Sequence, residues 1–175
     1  MQSSNDNYND GTNSQISHTI DTISQILEEI IQESESQDIP SDQPPEIKEC
    51  INKFTIKKVP SITINKYLRR IVKYANPEQS TLIMVLIYID KICENSNVQL
   101  TANNIHRLIL ASIVLSIKNN EDDYYSNEYY AKVGGISLDE LNSLEYAMII
   151  LLDFNVYIDE EIYYNYESSL QGWEQ

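Results

Sequence analysis

Apolar residues return every three or four positions between residues 16 and 31, with glutamates among the polar positions between and after them. This is the period of an amphipathic α-helix and predicts a helix over about residues 16–33. Residues 1 to about 15 are nearly all polar, which predicts disorder because they bury too little apolar surface to offset the entropy of ordering. Prolines among polar residues then predict a linker from Ser34 to Pro45. Whether the helix docks on the rest of the chain, extends the contact with a partner or orders only when a partner binds stays open.

The helical period returns beyond Pro60, first in two segments that follow each other closely. The first helix is predicted to start at a cap on Ser61 and to run to Ala75. The second is predicted to use Asn76 as its N-cap and Pro77 as its first helical residue, a position that proline favours. Its apolar residues are dense enough to predict a central helix.

Three further helical segments follow, each with a local start or stop signal. The third is predicted to start at Thr101, and a short fourth ends at Gly134 and Gly135, since glycine commonly ends helices. Ser137 and Glu140 have the spacing of a capping box at the start of the fifth. No strand alternation persists, and four glycines leave little for the turns of an all-β fold. The chain is therefore predicted to be all-α, with a five-helix bundle.

The net charge limits the kinds of partner that the chain is expected to bind, and the cysteine content limits the cellular compartment. The net charge of -15 repels phosphate backbones and anionic lipid heads, so neither nucleic acid nor membrane is an expected partner. Cys50 and Cys93 lie in no CxxC pair and near no histidine at ligand spacing, which predicts a reduced protein without structural zinc. The N-terminus is polar and unlike a signal peptide. A cytoplasmic or nuclear location is expected.

Catalytic and cofactor motifs are not apparent in the sequence. His18 and His106 lack nearby carboxylates that would complete a catalytic or metal site, so structural or solvated roles are expected. Gly134-Gly135 is not a phosphate-binding loop. The acidic runs 121–123 and 159–161 lack the spacing of a calcium loop, and the second fits the start of a last short helix. No catalytic residue, metal or cofactor is predicted.

Several segments, taken together and in order, resemble a cyclin box, most closely that of the Pho-type (P/U-type) cyclins. They are VPSITI at 59–64 with YLRRI at 67–71, YIDK at 88–91, HRL at 106–108 continuing to Lys118, NEYYAKVGG at 127–135 and ELNSLE at 140–145. The resemblance covers about residues 46–170. It implies a single five-helix cyclin box after a tail of residues 1–45, with a short tail at 171–175. The substrate-docking Met-Arg-Ala-Ile-Leu run of cell-cycle cyclins is missing near Ser61, which puts docking of that sort in doubt.

The resemblance also implies a partner and the residues that bind it. Cyclins pack their third and fifth helices against the kinase helix that carries the catalytic glutamate, and Lys118 and Glu145 are similar to the charged pair presented there. The apolar positions implied for the same contact are Leu115, Ile149, Phe154 and Val156. From the residues alone, Lys118 also fits a helix C-terminal charge and Glu145 a solvated helix position. Leu115, Ile149 and Phe154 also fit an ordinary core.

The function implied is that of a non-catalytic regulatory subunit that binds and activates a cyclin-dependent Ser/Thr kinase, in phosphate or nutrient signalling or in cell-cycle control. Kinase substrates or inhibitors are further partners to expect. The alternative is an adaptor that uses the same helical fold to bind a partner other than a kinase. Separately, Asp90 is predicted to form a structural ion pair with Arg70, or with Arg69, between the first two helices.

Overall fold

A computed structural model of the chain describes residues 10–34 and 43–173. The described residues form eight α-helices and no strand, which confirms the all-α prediction. The helices are α1 Asp10–Ser34, α2 Pro45–Phe54, α3 Ile64–Ala75, α4 Gln79–Ser96, α5 Ile105–Asn120, α6 Asn127–Gly134, α7 Leu138–Leu151 and α8 Glu160–Gly172. The five predicted bundle helices correspond to α3 to α7.

Helices α4 and α5 form the centre of the fold and pack against each other along their length. Both are buried on nearly all sides, as expected of helices that are apolar all round. Helix α7 packs on α5, while α3 and α6 pack on each other beside the central pair. Helix α8 lies on α4, and α2 lies on α7. Most of the polar surface is therefore carried by the outer helices.

Helix α1 is part of the packed structure. It begins at Asp10, earlier than the predicted helix and within the segment predicted to be disordered. Its buried face includes Ile23 and Leu27, and the helix packs against α3, α4 and α8. The Ser34 hydroxyl donates to the carbonyl of Leu100 at 2.6 Å, which fixes its C-terminal end. Residues 1–9 and 35–42, which include most of the predicted linker, lie outside the described residues.

Several predicted helix boundaries are wrong by a few residues. Helix α3 is capped by Thr63 rather than Ser61, since the Thr63 hydroxyl accepts a hydrogen bond from the Lys66 amide. Asn76 ends α3 in a left-handed conformation with φ 48° instead of starting α4, whose N-cap is Glu78. Asparagine tolerates that conformation better than most residues, so the Asn-Pro signal is compatible with either role.

The other boundary signals give a mixed outcome. The third predicted helix starts at Ile105, because Thr101 forms a turn before it. The capping box of Ser137 and Glu140 is confirmed, with both reciprocal hydrogen bonds present. The Asp159 carboxylate caps α8 by accepting from the Glu161 amide at 2.9 Å, which confirms the predicted helix start.

Helix α2 was not predicted as a separate element. Its signals are proline at the first helical position and apolar residues at Ile47, Cys50 and Phe54, which repeat with a helical period. The buried Cys50 and Phe54 face the bundle, and α2 packs chiefly on α7. Arg107 of α5 fixes this contact by donating to the carbonyl of Lys53 at 2.7 Å.

Candidate protein-binding site

Lys118 and Glu145 are brought together by the packing of α5 on α7. The Lys118 ammonium donates to both carboxylate oxygens of Glu145, at 2.7 Å to Oε1 and 2.9 Å to Oε2. The side chains are 27% and 15% exposed, so the pair lies at the edge of the core and still reaches solvent. An ion pair with this partial burial is held more rigidly than a surface pair between two flexible side chains.

A third helix completes this polar cluster. Asn127, the first residue of α6, donates from Nδ2 to Glu145 Oε2 at 2.8 Å and to Asn142 Oδ1 at 2.7 Å. The Glu145 carboxylate is therefore bound by a cation and by an amide. Glu145 Oε2 accepts from both Lys118 and Asn127, whereas Oε1 accepts from Lys118 and retains capacity for a further hydrogen bond. The cluster holds charged groups in a fixed orientation at the point where three helices meet.

The segment that follows α7 presents Phe154 to solvent. Asp153 and Phe154 both have positive φ, at 52° and 58°, a conformation that costs energy for residues with a Cβ. The Phe154 amide donates to the carbonyl of Ile149 at 2.9 Å, which holds the turn against the end of the helix. The Phe154 side chain is 69% exposed. A large apolar ring is thus displayed on a fixed backbone.

Side chains of α4 anchor the next part of this segment. The buried Tyr88 donates from its hydroxyl to the carbonyl of Val156 at 2.7 Å, and Asn119 Nδ2 lies 3.2 Å from the same hydroxyl oxygen. Burial raises the pKa of Tyr88 to about 12, so the hydroxyl remains a donor. The Lys91 ammonium donates to the carbonyl of Tyr157 at 2.6 Å. The Tyr88 to Lys91 motif therefore positions the turn after α7, a role that the sequence analysis did not assign.

The apolar residues predicted for the contact differ in their exposure. Leu115 is 6% exposed and belongs to the hydrophobic core, so the structure favours the core alternative for this residue. Ile149 and Val156 are half-buried and pack against that core. Tyr146, which the sequence analysis missed, is 60% exposed on α7 and lies next to Glu145 in sequence. Its signal was an aromatic residue at a position that faces away from the core.

The predicted ion pair between Asp90 and Arg70 is wrong. Asp90 Oδ2 accepts from the Tyr166 hydroxyl of α8 at 2.6 Å, and Arg70 donates to the carbonyl of Val133 at 2.9 Å. Burial raises the pKa of the Asp90 carboxyl, and the hydrogen bond from Tyr166 opposes that shift. Arg69, the other residue considered for the pair, binds Asp21 instead. Asp90 therefore secures α8 rather than α3.

The described residues provide no candidate for a metal centre. No three His, Cys, Asp or Glu side chains in ranges 10–34 and 43–173 are grouped so as to hold an ion. His106 is buried in the core, where Nε2 lies 2.9 Å from the carbonyl of Ile62 and its ring packs edge-on against Tyr67. Burial lowers the pKa of His106, which favours the neutral ring. None of the described helices is long and apolar enough to cross a membrane.

The fold and the site define an all-α protein with a candidate protein-binding face on α5, α7 and the turn that follows α7. A sequence model of the family described as Cyclin matches residues 11–156. The chain belongs to the cyclin family. The match begins inside α1, ahead of residue 46 at which the cyclin box was predicted to start.

The named relatives of the chain belong to one branch of this family. The chain is 39% identical over 142 residues to the PHO85 cyclin-like protein psl1 of Schizosaccharomyces pombe, covering 80% of this chain and 58% of that protein. It is 33% identical over 114 residues to Cyclin-U2-1 of Arabidopsis thaliana, with 65% and 51% covered. It is 34% identical over 120 residues to Cyclin-P3-1 of Oryza sativa subsp. japonica, with 69% and 51% covered. These names confirm the predicted likeness to Pho-type (P/U-type) cyclins, and the chain spans a little over half the length of these relatives.

Proposed function

We propose that this chain is a regulatory subunit that binds and activates a cyclin-dependent Ser/Thr kinase of the Pho-pathway type. The observation that carries the proposal is the oriented Lys118 and Glu145 pair between α5 and α7, together with the exposed Phe154 ring in the turn that follows α7. Phosphoryl transfer is carried out by the kinase, and the chain itself contributes no catalytic group. The complex acts in phosphate or nutrient signalling or in cell-cycle control, in the cytoplasm or the nucleus.

The geometry of the face suits a protein partner. Interfaces combine apolar anchors, which provide most of the binding energy, with a few charged groups that fix register and orientation. Phe154 and Tyr146 are exposed aromatic anchors, and the half-buried Ile149 and Val156 extend the apolar surface. The Lys118 and Glu145 pair supplies charge that the bundle already orients. Little conformational entropy is therefore lost by these groups when a partner binds.

The proposed mechanism is positional. A kinase is inactive while the helix that carries its catalytic glutamate is displaced, because the Lys-Glu pair that aligns the ATP phosphates is then incomplete. A rigid partner that packs on this helix holds it inward. Fixed hydrogen bonds to Glu145 and the anchored turn after α7 make this face of the chain rigid enough for that role. Similarity to the PHO85 cyclin-like protein psl1 of Schizosaccharomyces pombe supports a kinase of the Pho type.

The test is a charge exchange within the pair. Tagged chain would be recovered from its own cells as wild type, Lys118→Glu, Glu145→Lys and the double exchange, and the bound kinase would be identified and its Ser/Thr kinase activity assayed. The double exchange keeps an internal ion pair but reverses the charges that the partner meets. All three variants are expected to lose about tenfold or more of the bound kinase activity, as for a central charged contact.

Matched controls separate the binding face from general charge effects. Lys132 and Glu128 form an exposed ion pair on α6 at 3.0 Å, so the same exchange there is expected to change the recovered activity by less than twofold. Recovery of other partners without a kinase, unaffected by the Lys118 and Glu145 variants, would instead establish an adaptor. Full kinase binding by the double exchange would contradict the proposed role of the pair.

A further inference from the structure

A groove with a volume of about 650 Å³ runs between α3 and α6. Five of the chain's 12 basic residues line it, and none of the described residues that line it is acidic. These five residues are Lys66, Arg69, Arg70, Lys73 and Lys132. The four on α3 follow the spacing i, i+3, i+4 and i+7, which places them on one face of the helix. The groove and the candidate kinase contact share no residue.

The basic side chains of the groove differ in how far contacts within the chain already neutralise their charge. Arg69 binds Asp21 at 2.6 Å, and Lys132 binds Glu128 at 3.0 Å. Arg70 donates to carbonyls at the C-terminal end of α6, including that of Val133 at 2.9 Å.

Two cations of the groove have no acidic partner among the described residues. Lys66 and Lys73 are exposed, and neither forms an ion pair within the described part of the chain. The Lys73 ammonium lies 5.4 Å from the centre of the Tyr74 ring. After its internal pairings are counted, the groove still keeps an excess of positive charge. That excess lies on a chain whose net charge is -15.

We propose that this groove binds a phosphorylated Ser or Thr side chain within a peptide segment of a protein partner. A phosphate group carries a charge of about -1.5 to -2 and three strong acceptor oxygens, so it can engage several converging cations at once. Clusters of basic side chains are a recurrent means of recognising phosphorylated peptides. Lys66 and Lys73 provide the free donors, and Arg69 and Arg70, whose internal contacts hold their guanidinium groups in place, line the same cavity.

The negative overall charge of the chain favours binding of a single phosphorylated side chain over binding of an extended polyanion such as a nucleic acid. A nucleic acid strand carries charge along its whole length, and an acidic protein surface beyond the groove would repel most of it. A single phosphorylated side chain places its charge only where the cations are. The partner expected is thus a protein with a phosphorylated segment, bound independently of the kinase contact.

The proposal is tested by amide NMR on the full chain, titrated with a short Ala/Gly peptide that carries one phosphothreonine. The same peptide with threonine is the probe control. The amide chemical shifts of residues 66–74 and 129–133 are expected to change with the phosphorylated peptide and not with the unphosphorylated one. Lys66→Ala/Lys73→Ala is expected to weaken binding about tenfold, since two charge-assisted contacts are removed. Thermal melting would check that each variant keeps the wild-type fold.

A second pair of exposed lysines supplies the matched control. Lys57→Ala/Lys58→Ala removes the same charge outside the groove and is expected to leave peptide binding within twofold of wild type. The proposal is overturned by the absence of shifts, by equal shifts with the unphosphorylated peptide, or by equal weakening in both lysine variants. Inorganic phosphate that binds as tightly as the peptide would rule out a peptide site. Tighter binding of an oligothymidylate through the same lysines would assign the groove to nucleic acid.

Discussion

Helices α6 and α7 both end in left-handed backbone, but they do so with different residues. At the end of α6, Gly135 has φ 75°, and its amide donates to the carbonyl of Lys132. Glycine adopts that conformation without a steric penalty. At the end of α7, the positive φ angles fall on Asp153 and Phe154, which both carry a Cβ.

The contrast separates a feature of the fold from a feature of the proposed binding face. Glycine ends α6 with the smallest conformational energy, because it adopts positive φ without a steric penalty. The turn after α7 costs energy at Phe154 in particular, because a bulky residue with positive φ is rare. Strained backbone persists where the surrounding structure over-determines it, and it clusters at functional sites. Here Tyr88 and Lys91 hold the carbonyls of Val156 and Tyr157 just beyond the turn, and the Phe154 ring is left exposed.

Among changes at the end of α7, removal of the Phe154 ring should have the largest effect. It should weaken partner binding and leave the stability of the fold nearly unchanged. Phe154→Ala is expected to weaken kinase binding by about 2 to 4 kcal/mol, as for a central aromatic anchor. Because the ring is 69% exposed, the melting temperature should change little. Affinity measured with the purified kinase checks this. Tyr74→Ala, an exposed aromatic on α3, is the control and should bind as wild type.

Gly134, just inside the end of α6, should give the largest effect on stability. A Cβ added at Gly134 would overlap the side chain of the buried Leu110, and the carbonyl of Gly134 accepts from the Tyr67 hydroxyl at 3.1 Å. Gly134→Ala is therefore expected to destabilise the fold by about 1 to 3 kcal/mol, as measured by denaturant unfolding. In a double-mutant cycle, Leu110→Ala should remove part of that cost. Additive effects of the two changes would mean that the overlap is not the cause.

The sequence predicted the end of α6 and missed the turn after α7 for a physical reason. Gly134-Gly135 and the capping box of Ser137 and Glu140 are local signals, because the residue types themselves favour those conformations. Phe154 has no preference for positive φ, so its residue type does not signal its conformation. The nearby Val156 carbonyl is held by the hydroxyl of Tyr88, which is distant in sequence. The pairing of Lys118 with Glu145 was inferred from a family resemblance.

Pairings without such a guide were less predictable. Asp90 and Arg70 lie on helices that are consecutive in sequence and have opposite charge, but their actual partners are a tyrosine of α8 and carbonyls of α6. Charge and sequence order do not specify which faces of two helices meet. The five bundle helices and most of their core-facing positions, in contrast, follow from the apolar period, although the short α2 was missed.

Gly135 should give a smaller effect than Gly134, because no atom lies within 4 Å of an added Cβ and only the backbone conformation penalises it. Gly135→Ala is expected to cost about 1 to 2 kcal/mol, the cost of left-handed backbone for a residue with a Cβ. Gly172→Ala is the control, because an added Cβ also meets nothing there and φ is not positive. The difference between the unfolding free energies of the two variants isolates the cost of the left-handed backbone. Equal stability of the two variants would contradict the account of the α6 stop.

The smallest expected effect is the one that measures strain at the α7 end directly. Phe154→Gly and Phe154→Ala both remove the ring, but only glycine relieves the positive φ of 58°. The glycine variant is therefore expected to be more stable than the alanine variant by about 0.5 to 1 kcal/mol, despite the greater entropy that glycine gives the unfolded chain. Both should bind the kinase weakly. If Phe154→Gly is less stable than Phe154→Ala, the turn after α7 stores no strain. The ends of α6 and α7 would then differ in residue type but not in backbone strain.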